Sequence, residues 1–436
     1  MLISVLGTGY LGATHAAAMA VLGHEVVGID AHPDKVTMLS AGRAHFHEPG
    51  LDELLAEGLA SGRLSFDTRY ERAADADVHF ICVGTPQLPD SDAADLSYVE
   101  STVNALAPLL TRPTVVAGKS TVPVGTAERL RRVLRDRAPA GDEVSVAWNP
   151  EFLREGHAVE DSLRPGRLVF GVDGPRAEAA LRDVYKSLLS DGVPVVSTDL
   201  ATAELAKVAA NTMLATRLSL INAFGEICEV AAGDVGDLAT ILGLDPRIGA
   251  SFLGPGVGFG GSCLPKDIRA LMARAEELGV THAVGLLREV DQINLRRRTR
   301  AVELAVAFLG GNPRGQRVAV LGAAFKPGSD DVRDSPALDV ATQLHALGSE
   351  VTVCDPAAMD SARRVSPELA YASDVFEACS GAEVVMLLTE WPEFAEVDPG
   401  ALISVVSRPQ VVDGRLALDR SRWQAAGWSY RALGIG

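Results

Sequence analysis

Short apolar runs alternate with helical patterns over the first 200 residues of the chain. Residues 2–6 (LISVL) form an apolar run that leads into GTGYLG, and HEVVGID at 24–30 follows an alanine-rich helical pattern. Further apolar runs, separated by helical patterns, occupy residues 78–84, 114–120 and 145–150. Buried strands separated by helices are typical of a doubly wound parallel sheet. The pattern predicts an α/β domain at residues 1–198.

The middle of the chain loses the strand pattern. Long helical patterns cover residues 200–232 and 281–309, with few strand signals between them. The sequence therefore predicts a helical section at residues 199–309 that contains a long connecting helix.

The strand pattern returns near the carboxyl end. QRVAVLG at residues 316–322 is followed at 337–356 by the same helix, glycine, strand and terminal aspartate that occur at 13–30. The two ends are predicted to be divergent copies of a Rossmann-like, doubly wound domain, and residues 310–436 form the second copy. The first copy carries G-x-G-x-x-G, whereas the second carries GAAFK.

The amino-acid composition excludes several classes of binding partner for this α/β chain. The 436 residues include 40 Lys and Arg against 57 Asp and Glu, a formal charge of -17, which argues against nucleic acid or an anionic membrane as a partner. No apolar run reaches the roughly 20 residues of a membrane span, and the amino terminus lacks the pattern of a signal peptide. Five scattered cysteines show no metal-ligand spacing. The sequence predicts a soluble cytoplasmic protein with reduced thiols and no metal.

The first glycine-rich turn has the pattern of a dinucleotide site. Gly7, Gly9 and Gly12 follow a strand and open a helix, which brings backbone N–H groups against a pyrophosphate. Asp30 ends the next strand, where a carboxylate accepts hydrogen bonds from a ribose 2′-OH and repels a 2′-phosphate. NAD is therefore favoured over NADP. Lys35 is either a flank of the adenosine or a solvated helix lysine.

A second glycine-rich loop, GFGGSCLPKD at residues 258–267, ends in a cysteine. Pro265 suits the first turn of a helix, so Cys263 is predicted near a helix N-cap, where the helix dipole and Lys266 stabilise a thiolate. Asp267 beside them is placed to orient water or the lysine. The alternative, a buried core cysteine, fits Cys263 poorly because no apolar pattern surrounds it.

Polar residues recur on one face of the long helical pattern after residue 200. Glu204, Lys207 and Asn211 lie at i, i+3 and i+7, and Asn222 continues nearly the same stripe. Such a stripe either faces solvent or lines a site, and the pattern alone leaves both open.

Two loops that follow apolar runs carry further candidates. KSTVPVGT at 119–126 and NPEFLREG at 149–156 fall at the carboxyl edge of the sheet, where ligands of open α/β sheets bind. Thr121, Glu151 and Glu155 are the reactive side chains there.

These motifs occur together and in order, and the chain thereby resembles the UDP-glucose/GDP-mannose dehydrogenase family over nearly its whole length. The resemblance rests on GTGYLG, CVGTP, KSTVPVGT, NPEFLREG, the Glu204, Lys207 and Asn211 face, DPRIG, PGVGFGGSCLPKD, AFKPGSDDVRDSP, TEWPEF and DGR. It implies two successive NAD-dependent oxidations of the C6 alcohol of a nucleotide sugar to an acid, through a thiohemiacetal and a thioester on cysteine.

The resemblance also implies a role for each residue of the reaction. Cys263 is the nucleophile, and Lys207 and Asn211 hold the C6 oxygen and stabilise its charge. Asp267, Thr121 and Glu151 position water and relay protons. Which group is the base in each half-reaction stays open.

The implied ligand contacts divide between cofactor and substrate. Besides the glycines, Asp30 and Lys35, the implied NAD contacts are Tyr10, Leu11, Thr85, Pro86, Ser120, Thr121, Glu155, Lys266 and Arg333. The implied nucleotide-sugar contacts are Glu151, Phe152, Leu153, Arg154, Glu155, Lys207, Gly254, Gly258, Phe259, Gly260, Phe325, Lys326, Arg415 and Arg247. Arg247 is expected to reach in from the second subunit of a homodimer.

Two alternatives concern the substrate and the activity. UDP-glucose, with UDP-glucuronate as product, is favoured because LREGHAVEDSLRPGR and GVGF resemble that branch of the family. TDP-glucose, GDP-mannose and UDP-N-acetylhexosamines are the alternative substrates. A non-catalytic NAD or nucleotide-sugar sensor is disfavoured, since a sensor is expected to lose Cys263 or its partners.

Overall fold

The computed structural model describes residues 1–436, and the chain divides into two packing units. The amino-terminal unit comprises residues 1–210 and 269–279, and the carboxy-terminal unit comprises residues 211–268 and 280–436. Each unit contains one sheet. The domain boundaries predicted at residues 198 and 309 stay a prediction.

The sheet of the amino-terminal unit has eight strands. They are β1 (Leu2–Leu6), β2 (Glu25–Ile29), β3 (Leu64–Asp67), β4 (Val78–Ile81), β5 (Thr114–Gly118), β6 (Val144–Trp148), β7 (Leu168–Val172) and β8 (Val195–Thr198). Their order is β3-β2-β1-β4-β5-β6-β7-β8, so the chain reverses its direction of travel across the sheet between β3 and β4. This is the strand order of a doubly wound dinucleotide-binding fold, as predicted.

The last two strands of this sheet depart from the predicted parallel arrangement. β7 pairs antiparallel with β6, through Ala147 opposite Val172, and parallel with β8. The segment between β6 and β7 contains one six-residue helix, Ala158–Leu163.

Helices cover both faces of the first sheet. They are α1 (Tyr10–Val21), α2 (Pro33–Ser40), α3 (Leu51–Ala60), α4 (Ser97–Leu106), α5 (Thr126–Arg137), α6 (Ala158–Leu163), α7 (Pro175–Val184) and α8 (Lys186–Ser190). One apolar cluster packs α1, α3 and α7 on the sheet, and a second packs α4 and α5. The loops after β4, β5 and β6 consequently emerge at one edge.

Helices dominate the residues between the two sheets. They are α9 (Leu200–Ala231), α10 (Val235–Gly243), α11 (Leu264–Glu277) and α12 (Gly285–Phe308). The division between the two units falls within α9 and α11. No helix in the chain is both long and apolar enough to cross a membrane.

The sheet of the carboxy-terminal unit has six parallel strands. They are β9 (Arg317–Leu321), β10 (Glu350–Cys354), β11 (Ala370–Tyr371), β12 (Val384–Leu387), β13 (Gln410–Asp413) and β14 (Ser429–Ala432). The helices around them are α13 (Pro336–Ala346), α14 (Met359–Val365), α15 (Val375–Cys379), α16 (Pro392–Ala395), α17 (Pro399–Leu402) and α18 (Arg420–Ala425). The order β11-β10-β9-β12-β13-β14 repeats that of β3 to β6.

The turn after the first strand shows the same repeat in detail. Gly7 follows β1 with φ +88°, and its N–H donates to Ile29 O at 2.7 Å. Gly322 follows β9 with φ +119°, and its N–H donates to Cys354 O at 2.8 Å. Both positions lie in the left-handed region that favours glycine. The predicted pair of Rossmann-like copies is confirmed.

Candidate active site

The first glycine-rich turn packs α1 closely against the end of β1. A Cβ at Gly12 would lie 1.8 Å from Gly7 O, and a Cβ at Gly7 would lie 2.7 Å from Val83. A Cβ at Gly9 would instead meet no atom within 4 Å, so the space before the first turn of α1 is open. Glycine thus permits close packing on one side and leaves the positive end of α1 accessible to a pyrophosphate on the other.

Asp30 lies at the end of β2, beside this turn. Its carboxylate accepts hydrogen bonds from Thr8 N at 2.8 Å, Thr8 Oγ1 at 3.1 Å and His32 N at 3.0 Å. Burial opposes ionisation, but these hydrogen bonds and the charge of Lys35 outweigh it and hold the pKa of Asp30 below its ordinary value. An ionised acceptor at this position suits a ribose hydroxyl and disfavours a phosphate.

The second Rossmann-like copy has an aspartate, Asp355, at the position that corresponds to Asp30. Protein donors occupy all the hydrogen-bond acceptor sites of its carboxylate. Asp355 follows β10 and is 4% exposed. Its carboxylate accepts hydrogen bonds from five donors, although a carboxylate has only about four lone-pair sites. The five donors are the backbone N–H groups of Ala323, Ala324, Ala357 and Ala358 and the indole of Trp391. Asp355 therefore has no acceptor left for a ribose, unlike Asp30 in the first copy.

Hydrogen bonds join the loops after β4 and β5. Thr85 Oγ1 donates to Thr121 O at 2.7 Å, and Ser120 Oγ donates to Val83 O at 2.6 Å. Thr85 and Ser120 are buried, whereas Thr121 is half-buried. The two loops thus hold Thr121 in a fixed position at the sheet edge.

Glu204, in the second turn of α9, caps α5, the helix that follows the Thr121 loop. Its carboxylate accepts from Gly125 N at 2.7 Å and Ala127 N at 2.6 Å, at the start of α5. Burial raises the pKa of Glu204 to about 6, although these two backbone donors oppose the rise.

Lys207 and Glu151 form a buried ion pair. Lys207 Nζ lies 2.8 Å from Glu151 Oε1, and the two side chains are 6% and 13% exposed. The nearby Phe152 ring lies 5.8 Å from Lys207 Nζ. The pair places a cation and a carboxylate at the start of the 149–156 loop.

The far end of that loop is tied to the glycine-rich turn. Glu48 accepts from Gly156 N and from Ala158 N, both at 2.7 Å, and also from the hydroxyl of Tyr10. Burial and the neighbouring Glu48 raise the pKa of Tyr10, which keeps its hydroxyl protonated. Tyr10 is thus a fixed hydrogen-bond donor.

Cys263 lies immediately before α11, as predicted. Its carbonyl accepts from Asp267 N at 2.9 Å, which is the first hydrogen bond of the helix, and Ser262 Oγ lies 3.5 Å from its sulfur. The side chain is half-buried. Burial raises the pKa of the thiols of Cys82 and Cys379 to about 12, so these cysteines are protonated core residues.

Asp267 joins two further predicted residues. Asn211 Nδ2 donates to its Oδ2 at 2.6 Å, and Lys266 Nζ lies 2.6 Å from its Oδ1. Asp267 is 2% exposed and Asn211 is 6% exposed. Because each carboxylate oxygen has one donor, the amide of Asn211 and the cation of Lys266 are held in fixed orientations next to the first turn of α11.

Close packing shapes the glycine-rich loop before Cys263. A Cβ at Gly260 would lie 2.1 Å from Asp334 O, and one at Gly261 would lie 2.8 Å from the Phe325 ring. Gly258, at φ +100°, packs on Asn294. Glycine is therefore required for this loop to lie against the GAAFK segment and α12.

Polar side chains of α12 hold the same loop. Asn294 accepts from Phe259 N at 2.7 Å and donates to Phe259 O at 3.0 Å. Arg298 also donates to Phe259 O, at 3.1 Å, and pairs with Asp334 at 2.8 Å. Asn294 and Arg298 are 0% and 3% exposed, so these contacts lie in the interior of the carboxy-terminal unit.

Four basic residues that are predicted to contact NAD or the nucleotide sugar have different surroundings. Arg415 donates to Gly258 O at 2.8 Å and to Leu388 O at 2.8 Å, which holds it beside the loop. Lys326 Nζ lies 5.4 Å from the Phe325 ring. Two more side chains are exposed and paired with aspartates two residues earlier, namely Arg247 with Asp245 and Arg333 with Asp331.

Comparisons with known proteins agree with this geometry. Domain models of the UDP-glucose/GDP-mannose dehydrogenase family match residues 1–189 as the NAD binding domain, 201–296 as the central domain and 319–420 as the UDP binding domain. A UDP-glucose 6-dehydrogenase of Rhizobium meliloti (strain 1021) is 41% identical over 437 residues, which cover 100% of this chain and 99% of that protein.

Two solved structures resemble the whole chain. The structure of a UDP-glucose dehydrogenase from Pyrobaculum islandicum has a TM-score of 0.92 at 40% identity and covers 100% of this chain and 98% of that one. A UDP-D-ManNAc dehydrogenase from Pyrococcus horikoshii has a TM-score of 0.88 at 29% identity and covers 100% and 99%.

The chain belongs to the UDP-glucose/GDP-mannose dehydrogenase family. Its first Rossmann-like copy lies in the family's NAD binding domain, and its second in the UDP binding domain. The family confirms the predictions of an NAD-dependent oxidoreductase and of a nucleotide-sugar substrate.

The structure places several of the predicted site residues in contact with one another, and their roles stay predictions. Lys207 contacts Glu151, and Asn211 contacts Asp267 beside Lys266. The remaining residues lie as follows: Leu11 on α1, Lys35 on α2, Pro86 after β4, Leu153, Arg154 and Glu155 in the 149–156 loop, and an exposed Gly254 at the start of the cysteine loop. No group of three or more His, Cys, Asp and Glu side chains is arranged to hold a metal ion.

The polar residues of α12 and Glu48, which anchors the 149–156 loop, were not predicted from the sequence. Asn294, Arg297 and Arg298 occur in DQINLRRRTR, which has the composition of a solvated surface. They nevertheless fall at helical spacing with the apolar positions Val290 and Ala301, and that continuity marks the buried face of α12. A charged residue in register with an apolar stripe is the signal that identifies them.

Proposed function

We propose that this protein is a UDP-glucose 6-dehydrogenase, which oxidises the C6 alcohol of UDP-glucose in two NAD-dependent steps to UDP-glucuronate. The relatives that bear this activity in their names are 35% to 41% identical over nearly the whole chain, whereas the UDP-D-ManNAc dehydrogenase is 29% identical. The observation that carries the four-electron reaction is Cys263, a half-buried thiol at the amino end of α11, next to the Asp267 cluster.

The amino-terminal unit has the features that NAD requires. The open space at Gly9, the amino end of α1 and the ionised Asp30 suit a pyrophosphate and a ribose diol. NAD, when bound, accepts a hydride in each oxidation. Thr85, Ser120 and Thr121 would line the same edge of the sheet.

Cys263 would act between the two oxidations. Its thiolate adds to the C6 carbon of the aldehyde and forms a C–S bond, while the carbonyl oxygen takes up a proton to give a thiohemiacetal. Oxidation of the thiohemiacetal gives a thioester. Water then attacks the thioester carbon, the C–S bond breaks, and the acid and the thiol are released.

The side chains around these steps would stabilise charge on the C6 oxygen. Lys207 and Asn211 are both donors, and each is held by a carboxylate, Glu151 and Asp267 respectively. Fixed donors stabilise a developing oxyanion without reorganising during the reaction. Glu151 and Asp267 would also accept protons or orient water.

The carboxy-terminal unit would bind the nucleotide sugar. Asp355, the counterpart of Asp30, is filled by protein donors, and Lys326 occupies the turn where the first copy has its phosphate-binding glycines. Arg415, Phe325 and the loop at 254–260 would complete the site. Cations concentrated here offset the overall negative charge of the chain.

We further propose a homodimer in which Arg247 completes the partner's substrate site. Within the carboxy-terminal unit, α9 exposes Met213, Leu220 and Ile227 at 64%, 52% and 61%, spaced seven residues apart. Apolar side chains in such a stripe favour burial against a second helix. Arg247 is 86% exposed, and its one ion pair is with Asp245.

The test is NADH release by the purified protein with a panel of nucleotide sugars. UDP-glucose is expected to give the highest kcat/KM, above TDP-glucose, GDP-mannose and UDP-N-acetylhexosamines. A higher kcat/KM for another sugar would reassign the substrate within the family. Binding of UDP-glucose without any NADH release from the whole panel would favour the non-catalytic sensor.

A further inference from the structure

A cavity of about 420 Å³ lies within the amino-terminal unit, beside the 149–156 loop. Its buried wall includes His15 of α1, Lys119 after β5, and Tyr185, which are 3%, 7% and 3% exposed. Its outer wall includes the exposed Arg164 and Arg167. Small-molecule sites in proteins have volumes of roughly 300–1,000 Å³, and this cavity falls within that range.

The charges on the wall do not balance. Two carboxylates line the cavity, and both are already paired, Asp161 with Arg154 at 2.6 Å and Glu151 with Lys207 at 2.8 Å. None of the remaining cations, Lys119, Arg164 and Arg167, forms an ion pair. Three cations on the wall of this cavity therefore have no ion-pair partner within the protein.

Of the three cations, Lys119 has the greatest need of a counter-ion, because it is buried. Its Nζ donates to Asn149 Oδ1 at 3.0 Å and to the Tyr185 hydroxyl at 3.4 Å, and both partners are neutral. Burial lowers the pKa of Lys119 to about 8, which still leaves most of the side chain charged at neutral pH. A buried charge without a counter-ion is costly, and an anion in the cavity removes that cost.

His15 provides an independent indication of a ligand. Its Nε2 is buried and has no hydrogen-bond partner within the protein, although polar atoms in protein interiors are nearly always paired. Burial lowers the pKa of His15 well below its ordinary value, so the ring is neutral and offers one donor and one acceptor.

We propose that this cavity binds a small organic dianion, with a phosphate or polycarboxylate group held between Lys119, Arg164 and Arg167. The guanidinium of Arg167 lies 3.7 Å from the centre of the Phe152 ring, and this stacking holds its plane in place. Planar guanidinium groups bind phosphate and carboxylate through paired hydrogen bonds. His15, Lys119, Arg164 and Arg167 have no part in the proposed oxidation. The cavity also borders Glu151, Phe152, Leu153 and Arg154, which are implied nucleotide-sugar contacts, so the anion site adjoins the proposed substrate site.

The experiment is calorimetric titration of the full-length protein with inorganic phosphate and, separately, with citrate, at constant ionic strength against sodium chloride. One saturable site per chain is expected for at least one anion. Tighter phosphate binding identifies an organic phosphate as the ligand class, and tighter citrate binding identifies a polycarboxylate. The double variant Arg164→Gln/Arg167→Gln alters only exposed side chains and is expected to weaken binding by about 10- to 100-fold, the effect of losing a charge-assisted contact.

Two controls separate this cavity from other anion sites. Arg135→Gln, on the exposed face of α5, is expected to bind as the wild type does, and so is Lys326→Ala, which alters the proposed diphosphate site. Absence of a saturable site, equal affinity in the Arg164→Gln/Arg167→Gln variant, or loss of binding in Lys326→Ala would each overturn the proposal.

Discussion

Asn211→Asp tests the hydrogen bond that orients Asn211 towards Asp267. The amide nitrogen of Asn211 lies 2.6 Å from Asp267 Oδ2, and the two residues are 6% and 2% exposed. The substitution replaces the donor by a second carboxylate of nearly the same shape. Two ionised carboxylates at this distance repel strongly, so the variant is expected to keep one proton between them.

That proton limits the destabilisation and makes it depend on pH. Keeping a carboxyl of ordinary pKa, about 3.9, protonated at pH 7 costs about 4 kcal/mol, and at pH 5 about 1.5 kcal/mol. The protonated acid then restores a donor for Asp267. Because the pKa of the pair is raised above its unfolded value, the stability of the variant is expected to be near that of the wild type at low pH and to fall as pH rises, by at most about 4 kcal/mol at pH 7.

The assay is urea unfolding followed by tryptophan fluorescence at pH 5, 6 and 7. Three of the four tryptophans, Trp391, Trp423 and Trp428, lie in the carboxy-terminal unit that contains the pair. Asn211→Ala is the control, since it removes the hydrogen bond without adding a charge and its loss is expected to be independent of pH.

The exchange variant Asn211→Asp/Asp267→Asn restores a donor opposite an acceptor and leaves a carbonyl for Lys266. It is expected to recover most of the stability lost in Asn211→Asp at pH 7. A loss that is equal at pH 5 and pH 7, or an exchange variant no more stable than Asn211→Asp, would show that the two carboxylates do not share a proton.

Three further predictions concern the ligand sites. NADP is expected to have a kcat/KM about 10- to 100-fold below that of NAD because its 2′-phosphate meets the ionised Asp30, and equal values would contradict that placement. Lys326→Ala is expected to raise KM for UDP-glucose by about 10- to 100-fold while direct titration shows unchanged NAD binding, and the opposite pattern would remove the nucleotide sugar from the second copy. Arg247→Ala is expected to raise KM for UDP-glucose strongly, and mixing it with the inactive Cys263→Ala is expected to restore some activity, since one site of each heterodimer has both residues; no recovery in exchanged dimers would place Arg247 outside the partner's site.

The fold could be predicted because each copy repeats a local pattern of strand, glycine turn, helix and acid. The direction of β7 could not be predicted in this way. Residues 168–172 (LVFGV) are as apolar as the parallel strands, and periodicity reports burial without reporting strand direction. The length of the connecting helix does not decide the direction either, because α18 has six residues, as α6 does, and connects the parallel strands β13 and β14.

The candidate site could be predicted where its residues are close in sequence or on one helix. Cys263 lies immediately before α11, and Lys266 and Asp267 lie in its first turn, so helix geometry alone brings them near each other. The contact of Asp267 with Asn211 depends on packing between helices, and the contact of Phe259 with Asn294 joins segments 35 residues apart. No local pattern encodes these two contacts.

Cys263 is proposed to carry the sugar between two oxidations, and this role is tested by counting the NADH released per UDP-glucose consumed. The wild type is expected to release two NADH and UDP-glucuronate, and so is Cys228→Ser, a control at a half-buried cysteine outside the site. Cys263→Ser is expected to stall, with any ester on the serine detected by intact-mass analysis, because an alkoxide leaves an ester less readily than a thiolate leaves a thioester. Release of one NADH with free aldehyde by the wild type, or full turnover by Cys263→Ser, would contradict the account.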